Sequence, residues 1–235
     1  MKKTNTILAA VGALLMLSVT AANSVEFKAG VSVNGLAAYA NATETLKGSG
    51  VKTGRTTNEE AVLATSFASI FAEISSEEMM GLGFGVSYAP EVVDLDKETR
   101  HIGIGPDTGT GIDADGGVQS VSAKINDLVS VYLTLPVGDT GAYVKAGYIQ
   151  ATMVTEESLA TGSKYEDVDM TGTQVGGGYE GSLGDMAFWR AEGALQMWDD
   201  IATNGSEAGG TAGSTNRIEA ELGSVTGALS VGMKF

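Results

Sequence analysis

Val25-Glu26-Phe27-Lys28-Ala29-Gly30-Val31-Ser32-Val33-Asn34-Gly35-Leu36-Ala37-Ala38-Tyr39 alternates along its length: the odd positions read Val, Phe, Ala, Val, Val, Gly, Ala, Tyr, while Glu26, Lys28, Ser32 and Asn34 are polar. A period of two belongs to a strand with one apolar face. The stretch is long for a soluble sandwich strand, whose usual length is about 5–6 residues. Phe27 and Tyr39 stand near its two ends, spaced as aromatic girdles at two membrane interfaces would be. The reading is a bilayer-crossing strand with odd residues toward lipid and even residues toward an interior.

The same signal repeats downstream. Residues 61–75 form a second apolar stretch whose cleaner lipid face is the even set, Val62, Ala64, Ser66, Ala68, Ile70, Ala72 and Ile74, with Phe67, Phe71 and Glu73 opposite. Leu82, Phe84, Val86 and Tyr88 alternate with Gly81, Gly83, Gly85 and Ser87, a third strand with small inner residues. In residues 118–135, Val121, Ala123, Ile125, Val129, Val131, Leu133 and Leu135 alternate with Ser120, Ser122, Lys124, Asn126, Ser130 and Thr134. Asp127 interrupts that apolar face about nine residues before Pro136, near where the hydrocarbon ends for a tilted strand of roughly 9–11 residues. Residues 142–154 carry Val144, Ala146 and Tyr148 against Tyr143 and Lys145; residues 168–179 are glycine-rich and leave their facing open. Residues 186–198 set Ala187, Trp189, Ala191, Leu195 and Met197 against Phe188, Arg190, Glu192 and Gln196, and the last strand ends Val225, Gly227, Leu229, Val231, Met233, Phe235.

Eight strands result. Between them lie long polar segments at 41–60, 94–117, 155–167 and 199–216 and short ones at 75–80, 136–141 and 180–185, in strict alternation. Long external loops alternating with short periplasmic turns are the rhythm of an up-and-down transmembrane β-barrel. The expected fold is therefore all-β, antiparallel and closed, with both termini on the periplasmic side.

The amino terminus bears on location. Lys2 and Lys3 precede an apolar run from Ile7 to Val19 and then Thr20, Ala21, Ala22, Asn23 and Ser24, the three parts of a secretory signal peptide. The apolar run has 13 residues, short of the roughly 20 a spanning helix needs. The expected division is a signal peptide over 1–22 and a barrel over 23–235, with cleavage after either Ala22 or Ser24. The absence of cysteine excludes disulfides, an acylated cysteine and thiol chemistry. The net charge of −15 becomes −17 once Lys2 and Lys3 are removed, and such a surface repels nucleic acid.

The alternating run that closes on Leu229, Val231, Met233 and Phe235 resembles the carboxyl-terminal assembly signal of bacterial outer-membrane barrels. With the leader and the loop rhythm, the chain resembles the single-domain, eight-stranded barrels of the opacity and outer-membrane-protein-A type. That resemblance implies an outer-membrane location in a Gram-negative envelope, and outer-membrane lipid, the barrel-insertion machinery and periplasmic chaperones as partners.

Motifs for chemistry are sparse. Asp-Thr-Gly occurs at Asp107-Thr108-Gly109 and at Asp139-Thr140-Gly141, the triplet that pairs carboxylates in aspartic proteases. In the expected topology the two lie on opposite sides of a hydrocarbon layer of about 30 Å, too far to share a proton. His101 is the sole histidine; outer-membrane proteases and lipid-modifying enzymes use a rim histidine with an acidic or serine partner, but no nucleophile accompanies it. Asp113, Asp115 and Gly116 match only part of a calcium loop, leaving loose divalent-cation binding to acidic loops as the expectation. No cofactor is implied.

The strongest constellation is internal. Glu26, Lys28, Lys124, Lys145, Arg190 and Glu192 all fall on the assigned lumen faces, and opposite charges in a narrow interior should pair. They form either a structural network, since an eight-stranded interior is just wide enough for side chains to fill, or the lining of a narrow channel for small solutes or ions. The functional expectation is a non-enzymatic envelope barrel presenting surface loops. A porin-like channel is the alternative, and a rim enzyme using His101 the third reading.

Overall fold

The computed structural model describes residues 25–45, 56–94, 98–101, 118–158, 165–205 and 217–235. The expected leader, most of the long loops, Asp107, Asp113, Asp115 and Gly116 lie outside the described residues. The strands are β1 (Val25–Thr45), β2 (Thr56–Ser76), β3 (Leu82–Asp94), β4 (Glu98–His101), β5 (Val118–Pro136), β6 (Ala142–Ser158), β7 (Val168–Ser182), β8 (Ala187–Trp198), β9 (Ile201–Asn204) and β10 (Arg217–Lys234). Neighbours pair antiparallel in the order β1-β2-β3-β5-β6-β7-β8-β10, and β10 pairs back onto β1. The result is a closed eight-membered ring, with β4 and β9 as short continuations on β5 and β10.

Closure is complete down to the last residue. Register runs from Thr45↔Arg217 to Lys28↔Lys234, and Phe27 and Phe235 then exchange main-chain hydrogen bonds of 3.2 and 2.9 Å. Their rings lie 6.0 Å apart. No edge strand is left within the ring to template aggregation.

Alternation sets the facing of each strand. On β1, Val31 and Val33 are exposed on the outer wall and Ser32 and Leu36 are buried. On β2, Val62 and Ile70 face out at 82% and 58% exposure, and Phe71 and Glu73 face in. β7, whose facing the sequence left open, turns Val175 and Tyr179 outward and Met170 and Gln174 inward. Tyr179 and Trp189 stack on the outer wall with centroids 5.7 Å apart.

Two expectations are corrected. First, the polar segments contribute to the wall. β1 and β2 stay paired to Thr45↔Thr56, and Glu98–His101 and Ile201–Asn204, read as loop, are strands. At roughly 3.3 Å per residue, the 21 residues of β1 extend about 70 Å. A tilted strand needs only about 9–11 residues to cross a bilayer. Beyond that length both faces can be polar, so hydrophobic periodicity fades while main-chain pairing continues.

Second, Lys124 is not a lumen residue. Asp127 adopts φ 55°, and the β5–β6 register shifts between Asn126 and Val129, as a bulge produces. One extra residue inverts the alternation: Leu128, Ser130, Tyr132 and Thr134 are buried after it, whereas Ile125 packs toward the core before it. Lys124, next to Ile125, therefore faces the outer wall, with its Nζ 3.6 Å from Asp94. Asp127 also turns outward and accepts a 2.6 Å hydrogen bond from the Tyr88 hydroxyl.

Candidate functional site

The lumen is organised in three layers, because each strand contributes inward residues in axial order. At the turn end, β1 contributes Lys28, β2 Glu73, β7 Glu180 and β8 Arg190. Arg190 donates from Nη1 and Nη2 to the two Glu73 oxygens at 2.9 and 2.8 Å and from Nε to Glu180 at 2.7 Å. Lys28 donates to Glu180 at 2.9 and 3.1 Å and lies 3.1 Å from Glu26, which is half-exposed at the rim. The Arg190 and Glu73 side chains are each only 3% exposed. The guanidinium also lies 5.2 Å from the Phe71 ring and 5.1 Å from that of Phe188, within cation–π range.

Glycines make room for these rings. A Cβ on Gly85 would overlap the Tyr132 ring, and one on Gly30 would lie 2.7 Å from Phe71. Large inward side chains are thus seated over positions without a side chain on the neighbouring strand, filling the taper of a small barrel.

The middle layer is polar. Lys145 donates to Glu192 at 3.1 Å and lies 4.0 Å from the Tyr132 ring centre. Ser32 and Ser230 share a 2.8 Å hydrogen bond, Asn34 donates to Ser69 at 2.9 Å, and Gln174 donates to Ser130. Beyond it Leu36, Ala89, Val92, Leu128, Ile149 and Ala151 form a buried apolar cluster, joined by Phe67 and Trp198.

Of the six charged residues read from the sequence as a lumen network, Lys28, Arg190, Lys145 and Glu192 stand in the interior, Glu26 at its rim and Lys124 on the outer wall. They fall into two ion-paired groups, Lys145–Glu192 and the Arg190 group, with Tyr143 between them, its ring 5.5 Å from the Arg190 guanidinium. Sequence reasoning omitted Glu73 and Glu180, which hold Arg190. Glu73 had the parity to be found, lying opposite the even lipid face of β2. Glu180 lies in the segment that the sequence pattern assigns to a turn, but β7 continues to Ser182.

His101 pairs by its backbone with Val118 on β5. Asp139 sits in the tight turn after Pro136, where Thr140 donates to the Val137 carbonyl at 2.8 Å. Among the described residues, no group of three or more histidine and carboxylate side chains could hold a metal ion.

No family model matches the chain, and no curated protein matches it. Several solved structures are similar. They include the outer membrane protein OprG from Pseudomonas aeruginosa, at 11% identity over 90% of this chain and 96% of that one, TM-score 0.47. The outer membrane protease OmpT from Escherichia coli is 12% identical over 89% and 97%, TM-score 0.48. The attachment invasion locus protein Ail of Yersinia pestis is 11% identical over 89% and 99%, TM-score 0.40. The fold is a closed antiparallel up-and-down β-barrel, with β10 paired back onto β1. One expectation is corrected here: because one similar structure is a protease, the architecture does not make the chain non-enzymatic. At 12% identity it assigns no activity either.

Proposed function

We propose that this chain is a resident of the outer membrane of a Gram-negative envelope, where a closed barrel gives structural support and holds acidic strand extensions and loops outside the bilayer. The observation that carries the reading is the filled lumen, in which Arg190 bonded to Glu73 and Glu180 closes the turn end and the Leu36–Ile149 cluster closes the far half. A barrel built for diffusion would leave that space to water, which in porins takes about 16 strands. The long pairing of β1 with β2 and β10 stiffens the projecting end, as a surface-presenting part requires.

Export by a signal peptide over 1–22, assembly through Leu229, Val231, Met233 and Phe235, and contact with outer-membrane lipid belong to the same proposal. Leu229, Val231, Met233 and Phe235 are exposed on the outer wall of β10 and at its end, open to lipid or to the insertion machinery and chaperones.

The channel reading draws on a 280 Å³ cavity at the turn end, lined by Lys28, Glu73, Thr134, Tyr143, Glu180 and Arg190 among others. It ends against the Arg190 group. Planar-bilayer recording of the detergent-extracted protein separates the two: the closed-barrel proposal expects no discrete conductance steps, and regular steps would replace it with the channel.

A further inference from the structure

Between the charged layer and the apolar layer lies a small space of 60 Å³, lined by Asn34, Ser69, Ser130, Gln174 and Gln196 among others. Such a volume with several polar partners has room for a few waters. On its turn side the barrier is built on ion pairs: Lys145 and Glu192 border the space, and beyond them Arg190, Glu73, Glu180 and Lys28 are held by hydrogen bonds, with the Phe71 and Phe188 rings beside the guanidinium. On its other side the barrier is carbon. Phe67 of β2, Leu36 of β1, Leu128 of β5, Ile149 of β6 and Trp198 of β8 converge from five strands of the ring. Ile149 has no exposed surface, and the indole N–H of Trp198 is tied to Ser224 at 3.2 Å, so its ring is fixed to the wall.

These two barriers differ in what opens them. Ion pairs can exchange partners or be replaced by water without loss of hydrogen bonding, whereas an apolar constriction excludes water and ions by dewetting. We infer that the lumen is closed twice and asymmetrically: the Arg190 group separates a mid-barrel water chamber from the turn end, and the Ile149 layer alone blocks passage of water and ions onward. The chamber is then a blind pocket that small polar solutes reach from the turn end when the ion pairs loosen, and loosening them creates no pore. This inference rests on the closed-barrel proposal and goes beyond it by assigning the block to carbon side chains.

The test uses the full chain, whose lack of cysteine gives a clean background for Ser130→Cys in the chamber wall. A small charged methanethiosulfonate measures entry, and planar bilayers measure conduction. Ser130→Cys alone should label slowly. Adding Arg190→Ala and Glu73→Ala should speed labelling at least tenfold while conductance stays at the parent level, and adding Ile149→Ser and Phe67→Ser to that pair should produce conductance steps. Ile149→Ser and Phe67→Ser with the ion pairs intact should not conduct. The inference is overturned if the alanine pair conducts by itself, if it leaves Ser130→Cys protected, or if the combined variant stays silent. Where the alanine pair shows no heat-modifiable migration in gels, Arg190→Gln with Glu73→Gln takes its place. Conductance by the unmodified protein would instead remove the closed-barrel proposal.

Discussion

Arg190 on β8 grips Glu73 on β2 with both ends of its guanidinium, at 2.8 and 2.9 Å, across a lumen in which β10 and β1 lie between their strands. The pair ties opposite arcs of the ring together. Removing one partner leaves a buried charge without compensation, a loss of about 3–5 kcal/mol. Arg190→Ala should therefore lower unfolding stability in urea by that order, and Glu73→Ala in the same chain should recover part of it. A double variant no more stable than Arg190→Ala would show that Glu73 is compensated by something other than Arg190.

Gly85 and Gly35 offer a matched contrast. A Cβ at Gly85 overlaps the Tyr132 ring, whereas one at Gly35 meets nothing within 4 Å. Overpacking a filled interior costs roughly 1–3 kcal/mol, so Gly85→Ala should destabilise by that amount in the same urea assay. Gly35→Ala should be neutral or slightly stabilising. Equal effects would mean that the interior is loosely packed.

Val33 stands on the outer wall, 67% exposed, midway between Phe27 and Tyr39. On a water-facing surface, arginine there would be harmless; at a bilayer midplane it costs about 2–4 kcal/mol. Val33→Arg should lower barrel stability in lipid by that order, and Thr43→Arg, in the extension beyond Tyr39, should not. Indifference at Val33 would place the wall in water.

Phe235 closes the ring by pairing with Phe27 and remains 68% exposed. Deleting it should leave the chain translated but reduce the fraction recovered as folded barrel in outer membranes several-fold, measured by gel migration before and after heating. Full recovery would detach Phe235 from assembly.

The outward-facing half of this architecture was legible because an apolar outer wall imposes a rule on every second residue. Val31, Val33, Leu133, Leu195 and Leu229 all obey it on the outer wall. The strand extensions were not legible, since Asn41↔Glu60 and Thr43↔Asn58 pair through the main chain with polar side chains on both strands. Lys124 was misplaced because one residue in a left-handed conformation, Asp127, inverts the facing of the residues just before it, and aspartate in an apolar series does not announce a bulge. Glu73 could be placed inside from parity, but its bond to Arg190 depends on which strands meet across the lumen, information that periodicity does not contain. Whether a rim is catalytic is likewise a matter of side-chain geometry that the barrel pattern leaves free.

The central claim, a closed β-barrel resident in an outer membrane, is tested most directly by electrophoresis of the membrane-extracted protein in detergent with and without heating. A ring in which every strand has two partners resists detergent until heated, so the unheated protein should migrate as a distinct, faster band that shifts on boiling. Identical migration before and after boiling, with release from membranes without detergent, would contradict it.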